Sequence, residues 1–162
     1  MVTINSDVKE MMKSQKIILV GTSNNHGIPN VSPRISFYVD KDAIYWYEIF
    51  KHKSFQNFTK NNWVSVSVID YVELSGYQLK GNVKIIEDDK EFFNVNSKIA
   101  ENLPKDHEQR IRELISKNGV KIIQFKPLVV YSLNPTDFEQ EPDLLESDAD
   151  KLQKQEISML DY

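Results

Sequence analysis

The chain has 162 residues, of which 40% are hydrophobic, and it carries a formal net charge of −4. This length suits one well-packed domain and is short for two. The sequence contains no cysteine, which excludes disulfides, thiolate-bound metals and cysteine nucleophiles, so redox chemistry would need a bound cofactor. No apolar run approaches the roughly 18 to 20 residues that span a bilayer, and the longest early apolar stretch, Ile17 to Val20, lacks the form of a signal peptide. We therefore expect a cytoplasmic protein with no membrane partner.

The charge is unevenly distributed along the chain. After Leu133, nine acidic residues stand against two lysines, a net charge of −7, which leaves +3 for the rest. A general nucleic-acid binder presents a strongly basic face, so we expect no nucleic-acid partner. Residues 135–162 are predicted to form an acidic C-terminal tail, helical around 148–160, that is a mobile arm or is docked on a partner.

Apolar runs and two-residue alternation predict six β-strands. Pro33 makes the second strand an edge or bulged strand, and Gly81 permits a tight bend in the fifth. Within the second strand, Val31, Pro33 and Phe37 are predicted to share one apolar face. The six predicted strands are 16–22, 31–39, 43–47, 64–68, 77–85 and 120–133.

Helical spacing predicts four helices around these strands. The first begins at an N-cap, Asn5 or Ser6, and the second covers residues 51–62, with Ser54 as a possible cap. An insertion at about 89–118 contains a helical pair that Asp88 or Asp89 caps and that ends at Asn118-Gly119. The fold class predicted is mainly β with flanking helices (α+β), a six-stranded antiparallel barrel, closed or split. The barrel domain is expected to cover residues 1–134.

The segment Lys51-His52-Lys53-Ser54 is the most informative polar cluster. It lies at the predicted start of a helix, where unpaired backbone amides favour an anion such as phosphate. Arg34, on the polar face of the second strand, would add a forked donor. Trp46 and Tyr47, just upstream, offer flat surfaces for a ring system. These residues together suggest a nucleotide-like ligand; the alternative is that the cluster is a solvated loop and the aromatics are core residues.

Metal and acid–base chemistry are not indicated by the sequence. Three scattered histidines, His26, His52 and His107, have no usual metal-ligand spacing, so no metal is assigned. No pair of carboxylates stands out as a general acid and base. The catalytic residues are left unknown.

Several short segments follow one another in a characteristic order: 27–34, 45–47, 52–54 with Asn57, 61–62, 64–66 and 78–81. In this order they resemble the FMN-binding split β-barrels related to pyridoxamine 5′-phosphate oxidase, over residues 15–133. The resemblance implies a homodimer with FMN bound between the protomers. Arg34, His52, Lys53 and Ser54 would hold the phosphate. Ser32, Pro33, Trp46 and Tyr47 would line the flavin and ribityl chain, and Gln78 would contribute from the second subunit.

The leading hypothesis is an FMN-binding protein, a flavin-dependent oxidoreductase or flavin carrier of unknown substrate. Oxidase members of the family carry an arginine-containing substrate motif near the C-terminus, whereas residues 156–162 are acidic here, so pyridoxamine 5′-phosphate oxidase activity itself is not expected. Alanine at Arg34 and Lys53 is expected to abolish FMN binding without unfolding the barrel. The alternatives are a cofactor-free interaction module that uses the acidic tail, or the same barrel binding haem or a deazaflavin.

Overall fold

A computed structural model describes residues 2–135 and 143–144 of the chain. The helices are α1 (Ser6–Gln15), α2 (Lys53–Phe58), α3 (Asp89–Glu101) and α4 (Glu108–Asn118), with a 3-10 turn at Lys105–His107 before α4. The strands are β1 (Ile18–Ser23), β2 (Pro29–Arg34), β3 (Phe37–Val39), β4 (Ile44–Glu48), β5 (Trp63–Asp70), β6 (Ser75–Ile85), β7 (Lys121–Ser132) and β8 (Asp143–Leu144).

The strands form one antiparallel sheet in the order β2-β1-β5-β6-β7-β4-β3, and the short β8 pairs with β7. The two outermost strands of this order, β2 and β3, are joined only by Ile35 and Ser36. The sheet must therefore curl until its edges meet. The Tyr47 amide donates to the Ser36 carbonyl at 3.0 Å, next to the junction between β2 and β3. The predicted fold class, a mainly β split barrel with flanking helices, is confirmed.

The predicted strand 31–39 is two strands, which makes seven strands in the barrel and β8 in addition. The two halves differ in which face points inward. Val31 is 66% exposed and Phe37 only 8%, although uniform alternation would place both on one face. The physical reason is the crossing at residues 35 and 36, where the chain leaves one sheet edge and joins the other, and its alternation is interrupted. Sequence periodicity does not register such a crossing.

Two hydrophobic clusters hold the fold together. The first fills the barrel, where Val20, Val66 and Leu79 are fully buried, and α1 closes one end with Val8 and Met12. Asn5 caps α1 as predicted, because its side chain accepts from the Val8 amide at 2.9 Å. Each fully buried aliphatic side chain of this cluster contributes about 1.5–3 kcal/mol to the free energy of unfolding.

The predicted helical pair, α3 and α4, supplies the second cluster on the outside of β4 and β7. Asp88 caps α3 by accepting from the Glu91 amide at 2.8 Å, and α4 ends at Gly119. Strand β4 is consequently covered on both faces, by the barrel interior and by these helices, and all five of its residues are buried. This double coverage decides what its aromatic residues do.

Proline and glycine occupy the special positions that the sequence predicts. Pro33 lies on β2, whose described pairing is with β1 alone. Gly81 lies at a register shift between β6 and β7, opposite Pro127, and a Cβ there would collide with the backbone carbonyl of Lys126. Among the helices of the described residues, none has the length and apolar character that crossing a bilayer requires.

Candidate ligand-binding site

A polar network, which we call the β2 network, lies on the inner face of the edge strand β2. Asn30, Ser32 and Arg34 alternate along β2 and oppose inward-facing residues of β1. Ser54 of α2 meets them: its Oγ accepts from Asn30 Nδ2 at 3.0 Å and lies 2.8 Å from Ser32 Oγ. The network therefore ties the beginning of α2 to the edge of the sheet.

Arg34 extends this network to a buried carboxylate. Its Nη2 donates to both oxygens of Glu48, at 2.8 and 3.1 Å, and its Nη1 donates to Ser32 Oγ at 2.9 Å. The two side chains are only 13% and 7% exposed. Trp46 Nε1 also donates to Glu48, at 3.3 Å. The positive charge of Arg34 is thus balanced inside the protein, although its Nε finds no acceptor among the described residues.

Two amide side chains hold α2 in place. Asn57 Nδ2 donates to Thr22 Oγ1 at 2.9 Å, and Asn61 Nδ2 donates to Ser23 Oγ at 3.0 Å. Both bonds link the region of α2 to the end of β1. Because α2 has only six residues, these contacts and the packing of Phe58 in the barrel fix its position more than helix propensity does.

A groove of about 410 Å³ runs between α2 and the turn that connects β1 to β2; we call it the α2 groove. Its lining includes the basic side chains of His26, Lys53 and Lys60, and among the described residues no carboxylate contributes to it. Such an arrangement favours an anionic group. The remaining lining residues are Asn24, Asn25, Ile28, Pro29, Asn30, Gln56 and Asn57.

The basic segment is arranged differently from the prediction. Helix α2 covers Lys53–Phe58 instead of 51–62, and its N-cap is His52 instead of Ser54. Ser54 is buried, and its hydroxyl belongs to the β2 network. His52 is exposed and stacks on Phe50, with ring centroids 5.8 Å apart, and Lys53 lines the α2 groove.

Trp46 and Tyr47, which were predicted to lie beside the flavin, are both buried within the protomer. Trp46 is 0% exposed and packs against Phe58 and Phe125, with ring centroids at 6.1 and 6.4 Å. Tyr47 is buried under α3, where its hydroxyl donates to Asn96 Oδ1 at 2.7 Å. Burial raises the pKa of the Tyr47 hydroxyl to about 12, so it stays a neutral donor. The physical reason is the coverage of β4 on both faces.

The other predicted residues are divided between the two faces of the sheet. Ser32 and Arg34 point inward, whereas Pro33 lies on the outer face in one row with Leu19, Ser67 and Gln78. Gln78 is thus separated from Pro33 by two strands of the same protomer. Pro33 and Gln78 therefore lie on the opposite face of the sheet from the polar network.

Asn30 of this network was not among the predicted site residues, and neither was Glu48. Glu48 ends an otherwise apolar, aromatic strand, and a carboxylate in such a position requires a buried partner. An acidic residue at the end of an apolar strand is thus the sequence signal that points to a buried charge pair.

The described residues contain no group of three or more histidine or acidic side chains placed to hold a metal ion.

The family model described as pyridoxamine 5′-phosphate oxidase matches residues 4–134. The chain belongs to this family. The match takes in the whole barrel and the α3–α4 pair of this pyridoxamine 5′-phosphate oxidase family member. Among curated proteins, none matches the sequence significantly.

Solved structures share this family's fold at low sequence identity. HupZ of Group A Streptococcus has 16% identity and a TM-score of 0.64, covering 82% of this chain and 95% of its own. HutZ of Vibrio cholerae, a heme storage protein, has 16% identity and a TM-score of 0.64, covering 80% and 94%. A Clostridium acetobutylicum protein related to general stress protein 26, of the pyridoxinephosphate oxidase family, has 18% identity and a TM-score of 0.64, covering 88% and 93%. At this identity the likeness establishes the fold.

Proposed function

We propose that this protein binds FMN with its phosphate in the α2 groove and acts as a flavin-dependent oxidoreductase or flavin carrier. The observation that carries the proposal is the composition of that groove, three basic side chains and no carboxylate among its described lining residues. A phosphate ester gains charge-assisted hydrogen bonds from such a set. Family membership supports a cofactor-binding barrel.

Lys53 is the central cation of the proposed site. It is exposed in the groove next to Ser54, whose position the β2 network holds. The amides of Asn30, Gln56 and Asn57 line the same groove and supply neutral hydrogen-bonding groups. His52, one residue before Lys53, is the N-cap residue of α2. These residues bind and orient the phosphate end of the cofactor.

Arg34 has a positioning role in this proposal. Its Nη1 bond to Ser32 holds the hydroxyl pair of Ser32 and Ser54 beside the groove. A direct contact with the phosphate, as the sequence suggested, would require the guanidinium to leave Glu48. When bound, the flavin supplies hydride or electron transfer, and the chain supplies its orientation and surroundings.

A second copy of the chain is expected to complete the site. The outer sheet face carries exposed apolar side chains, with Val31 at 66% and Ile69 at 50% exposure. Monomeric proteins rarely leave large apolar patches uncovered. Pro33 and Gln78 lie on the same face, so we propose that homodimerisation covers it and brings Gln78 toward the partner's flavin.

Absorption spectroscopy of the purified protein tests FMN binding. We expect a yellow protein, or uptake of added FMN with quenching of flavin fluorescence. Lys53→Ala should weaken FMN binding roughly 10- to 100-fold, since a hydrogen bond to a charged group contributes about 1.5–3 kcal/mol. Lys53→Arg should retain most of the affinity.

The matched control is Lys90→Ala, which removes an exposed lysine of α3 that lines neither this groove nor any other described cavity. It should leave the affinity unchanged. A protein that takes up no FMN would contradict the proposal. A haem absorption spectrum in the protein as isolated would show that the barrel binds haem instead of FMN.

A further inference from the structure

A second, larger groove of about 1090 Å³ lies between α1, β3 and the turn after α3. We call it the α1 groove. It shares no lining residue with the α2 groove, and the proposed FMN site makes no use of it.

The α1 groove has an excess of positive charge. Of its two carboxylates, Asp40 is paired with Lys98 at 3.6 Å, and Asp106 is the other. In the part of the chain that the structure describes, none of the lysines that line the groove has a carboxylate within ion-pair distance. Those lysines are Lys9, Lys13, Lys16, Lys41 and Lys105.

The floor of the α1 groove is apolar. Met12, Phe37 and Leu103 are buried below it, and Ile35 and Val39 are partly exposed in it. A basic rim over an apolar floor fits an acidic segment that also carries aliphatic side chains.

The chain's own path leads toward this groove. Strand β8 pairs with β7 through Asp143 opposite Val130 and Leu144 opposite Val129. It must lie on the β4 side of β7, because β6 pairs with these same β7 residues from the other side. Beyond Leu144 the antiparallel direction points to Phe125, where β4 begins.

The turn that precedes β4 carries Asp40 and Lys41, which both line the α1 groove. From Val129 to Phe125 is four residues of strand, or about 13 Å. The two or three residues that follow Leu144 can cross most of that distance when extended. They are Leu145, Glu146 and Ser147, and Asp148 and Asp150 come next.

We propose that the α1 groove binds residues 145–152 of the same chain. Within this segment Glu146, Asp148 and Asp150 face a groove rich in lysine, while Leu145 and Leu152 supply apolar groups for its floor. This interaction is independent of flavin binding, since the two grooves share no residue.

Disulfide trapping in the full chain tests the interaction, and the absence of cysteine makes the background clean. Lys41→Cys is combined with Asp148→Cys, and mild oxidation should produce a disulfide within one chain. Lys60→Cys with Asp148→Cys is the matched control, because Lys60 is an exposed lysine of the α2 groove. The first pair should form several-fold faster than the control and should slow at high salt.

A second variant tests the charges directly. Adding Lys13→Gln and Lys16→Gln to the Lys41→Cys and Asp148→Cys pair should slow the reaction, whereas adding Lys90→Gln should not, with circular dichroism confirming that each variant is folded. Equal rates for the two cysteine pairs would overturn the proposal. Disulfide-linked dimers in place of the intrachain product would overturn it in favour of a second copy.

Discussion

The pair formed by Arg34 and Glu48 is the most consequential residue-scale feature. Both side chains are nearly buried, and Glu48 receives a further hydrogen bond from Trp46. Burying two charges costs desolvation energy that their attraction repays only in part. Removing one partner is therefore far more damaging than replacing both.

Arg34→Ala should lower the free energy of unfolding by about 3–5 kcal/mol, because it leaves Glu48 buried without a counter-charge. The double variant Arg34→Met/Glu48→Leu should recover most of that loss. Urea denaturation of the three proteins measures both effects. A loss below about 1 kcal/mol in the single variant would contradict this account. The same measurement tests the sequence-based expectation that alanine at Arg34 leaves the barrel folded.

Tyr47 gives a prediction for alkaline pH. Because burial raises its pKa to about 12 from 10.0, the folded state holds this proton more tightly than the unfolded state does. Its contribution, roughly 2–3 kcal/mol, is complete below pH 10 and is lost as the pH rises to 12. Tyr47→Phe should flatten the fall of unfolding free energy between those pH values. An unchanged slope would contradict the assignment.

At the scale of elements, the irregularities in the strands shape the barrel. The register shift at Gly81 bends the β6–β7 pair, and the crossing at Ile35 and Ser36 joins its edges. Only the first is visible in the sequence: a glycine in a strand signals a close approach of another backbone, whereas the crossing has no such sequence mark.

Gly81→Ala should destabilise the barrel by about 1–3 kcal/mol or more, because the added methyl group collides with the Lys126 carbonyl and the backbone of Pro127. Thermal unfolding followed by circular dichroism measures this loss. Lys84→Ala on the same strand is the control and should cost less than about 1 kcal/mol, since it removes only a surface ion pair. Equal losses would show that the bulge tolerates a side chain.

At the scale of the whole molecule, the proposed homodimer depends on the apolar side chains of the outer sheet face. We expect Val31→Lys combined with Ile69→Lys to convert a dimer into monomers, because lysine cannot be buried unpaired in an apolar interface. Size-exclusion chromatography with light scattering measures the mass. Phe93→Lys is the control, since Phe93 is as exposed but lies on α3. A monomeric wild-type protein would contradict the proposed homodimer.

The sequence by itself determined the elements that depend on neighbouring residues. The Asn5 and Asp88 caps, the edge position of Pro33 and the α3–α4 pair follow from local spacing, and the order of motifs indicated the family. Tertiary structure alone decided the burial of Trp46 and Tyr47, the pairing of Arg34 with Glu48 and the opposite exposure of Val31 and Phe37. These depend on which strands become neighbours and on what covers each face, and such contacts join residues far apart in the chain.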